Sequence, residues 1–158
     1  MSKRKPYNPN KAAQRTASFQ RARENAVPLA DDQIADLSIA FRIAFDLMIT
    51  GHADEQQWST CTVALNIALI LAERGFGQHF VDDINAALEG AFRARVRAQR
   101  TGAWGYDGAA MTAIKRAFEI HEAQIENATR ADLRAAIAEI RQRIDDGVVF
   151  EQSVSAIP

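Results

Sequence analysis

The chain has 158 residues, a formal net charge of −1 and a single cysteine, and 47% of its residues are hydrophobic. That length makes one domain with enough apolar surface to fold without a metal or a disulfide, and one cysteine excludes an internal disulfide and suits a reducing compartment. The most apolar run, Val63 to Ala72, contains Asn66 and is too short to span a bilayer; the first residues carry charge with no apolar core behind it, which is not a secretory signal. The expectation is a cytoplasmic protein with no membrane partner.

In chain order, the first element is an arm. Residues 1–25 hold seven basic side chains (Lys3, Arg4, Lys5, Lys11, Arg15, Arg21 and Arg23) against Glu24, a net +6, whereas the rest of the chain carries −7. Pro6, Pro9, Asn8 and Asn10 predict an extended start, and Phe19 is the one large apolar residue of a short helix that could follow. Such an arm either seeks phosphate or an acidic surface, or is a solvated tail.

Residues 26–147 read as a bundle of five helices in an all-α fold. The first runs from about Asp31 to Thr50, with Asp31 and Asp32 at the positive end of its dipole and Gly51 closing it. Ile34, Leu37, Phe41, Phe45 and Met48 form its core row, and Ile39, Ile43 and Leu47 widen it. The second, from about Asp54 to Arg74, opens on a variant capping box, Asp54 with Gln57. It is apolar or small nearly all round from Cys61 to Leu71, the mark of a central helix. Leu65, Ile67, Leu69 and Ile70 are therefore all expected to be inaccessible.

The third helix, from about Gln78 to Arg100, puts Phe80, Ile84, Leu88 and Phe92 on one face, and Gly102 stops it. The fourth, from about Asp107 to Asn127, lines up Met111, Ile114, Phe118, His121 and Ile125. Thr129 and Asp132 form a short capping box for the fifth, which carries Leu133, Ile137, Ile140 and Ile144 and ends near Gly147. Residues 148–158 form a tail, in which Val148, Val149 and Phe150 could pack back.

Motifs for chemistry are sparse. A di-metal bundle needs Glu-x-x-His, but Phe118 stands three residues before His121. The zinc motif His-Glu-x-x-His also fails, because Ile125 occupies the second histidine's place. No metal, cofactor or catalytic residue is expected, and His121 reads as a core or boundary histidine. Cys61 reads as a buried structural thiol, and Glu119, Glu122 and Glu126 as a solvated acidic face. Gly102, Gly105 and Gly108 follow a helix rather than a strand, which argues against a nucleotide loop. A helix-turn-helix over Leu71, Gly75, Val81 and Ile84 would face Asp82 and Asp83 toward phosphate.

Two clusters remain. Trp104 and Tyr106 lie between glycines, and either anchor a protein partner or plug the end of the bundle. Arg93, Arg97 and Arg100 share one face of the third helix, with Arg95 off it. The helix dipole accounts for one or two of them; the rest point to an anionic partner or to bridges with the acidic body.

The segments Ser2-Lys3-Arg4-Lys5-Pro6-Tyr7, Ala110-Met111-Thr112-Ala113-Ile114 and Ala131-Asp132-Leu133-Arg134 resemble small helical proteins of bacterial prophages and plasmids, some of them labelled transcriptional regulators. The resemblance implies a mobile-element origin and a non-enzymatic role, and it carries over no catalytic residue. The leading expectation is a non-enzymatic phage or plasmid protein that engages a protein partner through Trp104 and Tyr106, inhibition of a host defence complex being one version. The alternative is a DNA-binding regulator using Lys3, Arg4, Lys5, Arg93, Arg97 and Arg100. A homo-oligomer is left open.

Overall fold

Local signals set the helix ends in the computed structural model, which describes Gln20, Val27, Pro28 and residues 30–146. The arm, apart from Gln20, and the tail 148–158 fall outside the described residues. Helix α1 spans Asp31–Thr50. It ends because Gly51 takes the left-handed conformation (φ 77°), which lets the His52 amide reach back to the Leu47 carbonyl at 3.1 Å. Helix α2, Glu55–Glu73, starts on Asp54, whose carboxylate accepts from the Gln56 amide at 2.7 Å while Gln57 accepts from the Asp54 amide at 2.8 Å.

A 3-10 turn over Gln78–Phe80 leads into α3, Val81–Thr101. The third helix therefore begins in a tighter winding than expected and becomes α-helical three residues later. Helix α4 spans Gly108–Asn127, with Asp107 as N-cap. Helix α5 spans Arg130–Asp145, and the Thr129–Asp132 capping box forms as expected, at 3.2 and 2.8 Å. Among the described residues no helix is long and apolar enough to cross a membrane.

Helix α2 is central and touches each of the other four. One core cluster lies among α1 to α4 and includes Phe41, Phe45, Met48, Leu65, Ile84, Leu88, Ile114 and Phe118. A smaller cluster sits under α5, where Ile70, Leu71, Ala128 and Ala136 pack with Ile67, Leu133 and Ile140. The α2–α5 contact is rimmed by Arg74–Glu139 (2.9 Å), Arg143–Glu139 (2.6 Å) and Arg143–Glu73 (2.5 Å). Ahead of α1, Pro28 pairs with Thr129 and the Arg130 amide donates to the Val27 carbonyl at 3.3 Å, tying the start of the described chain to the α4–α5 turn.

Helices α3 and α4 approach most closely. Beside Ile84 and Leu88, the buried residues of α3 are all small: Ala87, Gly90, Ala91, Ala94 and Ala98. A Cβ placed on Gly90 would lie 2.7 Å from the Ala110 Cβ and 2.9 Å from its Cα, so only glycine admits this spacing.

Four expectations about faces need correction. In α2, Leu65 and Ile70 are buried, but Ile67 and Leu69 are half-buried and Val63 is exposed, because α5 covers only the C-terminal half of the outer face. In α5, Ile137 and Ile144 are exposed; the side facing α2 is Ala136, flanked by Leu133 and Ile140. Leu37 is exposed, because burial along α1 begins at Phe41. Ile39 and Ile43 do not widen the core row. At about 100° per residue they fall roughly 160° and 200° round the helix from Phe41, and they are 52% and 55% exposed.

These positions differ in what a substitution should do. Leu65→Ala should cost about 2–5 kcal/mol in urea unfolding, and Val63→Ala should stay within about 0.5 kcal/mol. Gly90→Ala should destabilise by about 1–3 kcal/mol through overpacking, although alanine is the better helix former. A stabilised Gly90→Ala protein would show that α3 and α4 can separate freely.

Candidate functional site

Three places on the molecule bring together residues with functional potential. The first is the end of the bundle where α3 hands over to α4. The Asp107 carboxylate caps α4 through the Ala110 amide (2.7 Å) and meets Arg93 Nε at 3.4 Å. That amide first, and Arg93 after it, hold the carboxyl below its usual range. Arg97, half-buried, donates to the Gly105 carbonyl. Two of the three arginines expected to contact an anionic partner thus fasten the 102–107 loop. Arg100 is exposed, and Arg95 lies 5.3 Å over the Trp58 ring. Lys3, Arg4 and Lys5 lie outside the described residues.

The loop's aromatics are held by the bundle. Tyr106 is 6% exposed, with its ring 5.9 Å from Phe45. Trp104 is half-buried, 5.7 Å from Trp58, and its backbone bridges to Ala53. Trp58, which the sequence reading passed over, donates from Nε1 to the Ala91 carbonyl at 2.8 Å. Tyr106 and Trp104 therefore both pack on the end of the bundle, and Tyr106, unlike Trp104, presents little surface to a partner. The Tyr106 hydroxyl meets no described group at hydrogen-bond geometry and lies beside the Cys61 thiol. Burial raises the pKa of both, that of the thiol to about 11.

The second place is a shallow cleft of about 320 Å³ between the α2–α3 connection and α4. Its polar groups are already engaged. Gln124 donates to the Ala68 and Phe76 carbonyls at 3.0 and 2.8 Å, and Arg116 stacks 5.3 Å over Phe80 and pairs with Glu119 at 3.7 Å. Beside it, His121 is buried against Phe41 (5.4 Å between rings), with Nδ1 3.4 Å from Gln124 Oε1. Desolvation lowers its pKa to about 4, so the imidazole is neutral near pH 7. Among the described residues no group of three or more His, Cys, Asp or Glu could hold a metal.

The third place is the outer face of α1. Ile39 and Ile43 stand one turn apart there, opposite the buried Phe41, Phe45 and Met48. Asp36 precedes Ile39 by three residues and Asp46 follows Ile43 by three, and both are exposed. The signal was present in the sequence, because two isoleucines half a turn from a phenylalanine row cannot share its face.

Two measurements check this reading. Tyr106→Phe should be neutral or stabilising by about 1 kcal/mol, since it removes a buried hydroxyl that has only the weakly bonding Cys61 thiol beside it among the described residues, whereas Tyr106→Ala should cost about 3–5 kcal/mol. Equal losses would mean that the hydroxyl, not the ring, holds the plug. For His121, the folded pKa lies below the unfolded value of about 6.5. Its contribution is complete above pH ~6.5 and is lost as pH falls toward 4. Stability should drop by on the order of 3 kcal/mol across that window, and His121→Gln should flatten that part of the profile. Searches against known proteins place no relative beside this chain: no family model, no curated protein and no solved structure matches it.

Proposed function

We propose that this chain is a non-enzymatic binding protein that acts through a protein partner docked on the outer face of α1. The observation that carries the reading is the exposure of Ile39 and Ile43, 52% and 55%, on a well-formed helix whose opposite face fills the core. Single exposed aliphatics are ordinary, but two in register on one helix face offer a partner an anchor row. The burial of Tyr106 moves the expected contact away from the Trp104–Tyr106 loop and onto this face. The concrete form of the proposal is a phage or plasmid protein that occupies a host defence complex. That form rests on the resemblance of the arm and of residues 110–114 and 131–134. The DNA-binding alternative draws less support, since Arg93 and Arg97 are engaged with Asp107 and Gly105.

The test is affinity capture from the source organism's lysate, with and without nuclease, using wild type and an Ile39→Ser plus Ile43→Ser double variant. Capture of a protein partner should resist nuclease and be lost in the double variant, each truncation costing on the order of 2 kcal/mol of binding. The variant's melting temperature should barely move, because both side chains are exposed. Nuclease-sensitive recovery that survives the double variant but is abolished by removing the charges of Lys3, Arg4, Lys5 and Arg100 would establish the DNA-binding alternative instead.

A further inference from the structure

The partner's chemistry can be read from what surrounds the two isoleucines. Asp36, Ile39, Ile43 and Asp46 follow one another at spacings of three, four and three residues. All four lie within roughly 50° of the direction pointing straight away from the core. They form a single acid–apolar–apolar–acid line about 15 Å long, the length of a three-turn helix. Neither aspartate forms an ion pair among the described residues, although Asp46 feels the charge of Arg42 one turn back. The one cation of α1, Arg42, is committed to Glu122 on α4, with both contacts at 2.6 Å. Asp31 and Asp32 add further negative charge at the start of the same helix.

From this arrangement we infer that the face takes a basic amphipathic helix: two apolar side chains one turn apart pack on Ile39 and Ile43, and Lys or Arg residues flanking them pair with Asp36 and Asp46. The inference rests on the protein-partner reading above and names its chemistry. A helical occupant fits because ridges at one-turn spacing mesh with ridges of the same spacing. A basic one fits because it neutralises two exposed carboxylates that form no ion pair among the described residues. A second copy of this chain is disfavoured by the near-symmetry of the line. Antiparallel pairing centred between Ile39 and Ile43 sets each Asp36 against the other copy's Asp46, and parallel pairing sets like against like.

The experiment titrates the full chain into three fluorescein-labelled peptides by anisotropy, over a range of salt. One peptide is a helix former with two leucines one turn apart, bracketed by Lys and Arg. The second has the same composition with its leucines spread round the helix, and the third replaces the basic residues with Glu. The first should bind at least tenfold more tightly than the other two. Ile39→Ser plus Ile43→Ser should weaken it at least tenfold, and Asp36→Asn plus Asp46→Asn should weaken it and flatten its salt dependence. Equal binding of the first two peptides, or binding indifferent to both double variants, overturns the inference. So does a wild-type dimer in sedimentation that Ile39→Ser plus Ile43→Ser makes monomeric, since the occupant is then a second copy. If none of the peptides binds but lysate capture still depends on Ile39 and Ile43, the docking face stands and the basic-helix chemistry falls. Loss of both removes the two readings together.

Discussion

The close approach of α3 and α4 at Gly90 and Ala110 is the constraint on which most of the remaining arrangement depends. A Cβ on Gly90 would lie 2.7 Å from that of Ala110, so the spacing exists only because neither residue has bulk. Ala87, Ala91, Ala94 and Ala98 extend the same narrow strip along α3. Helices packed this closely gain many weak dispersion contacts without large side chains. The proximity also decides where the connecting segment goes. Asp107 caps α4 within reach of Arg93, Arg97 reaches Gly105, and Tyr106 is left facing Phe45. The plug is thus a consequence of the small-residue contact rather than a separate device.

Charge is distributed to match. Several cations of the described body hold elements together: Arg42 with Glu122, Arg74 with Glu139, Arg143 with Glu73, Arg93 with Asp107, Arg130 with Gln33. Each such surface contact is worth about 0–1 kcal/mol, so their value lies more in registration than in stability. The carboxylates are in excess, and Asp36, Asp46, Asp82, Asp83, Glu89 and Glu126 face solvent. The outward field of the described body is therefore set mainly by acids.

Helix ends were legible in the sequence because their causes are local. Gly51, Gly102, Asp54 with Gln57, and Thr129 with Asp132 act within one turn of themselves. Faces were less legible. Apolar spacing tells which side of a helix is greasy, but not whether a neighbour arrives to cover it. The outer side of α2 is covered at Ile70 and open at Val63, since α5 reaches only half its length. The isoleucines of α1 were absorbed into the core row although their angular positions exclude it. The loop aromatics were correctly located and left between two roles. The packing of Tyr106 on Phe45 was not legible, because it joins segments some sixty residues apart.

Cys61 supplies a last consequence. Its thiol is fully buried between α1 and the plug, 4.0 Å from the Phe41 carbonyl, and holds its proton to about pH 11. A thiol in that state reacts with an alkylating reagent only when the surrounding structure opens. Because the chain has no other cysteine, the rate of alkylation is a clock for the opening of the α1–α2 contact. The molecule thus carries an internal chronometer, needing no added probe, at the place where the Tyr106 loop, the central helix and the helix bearing Ile39 and Ile43 meet.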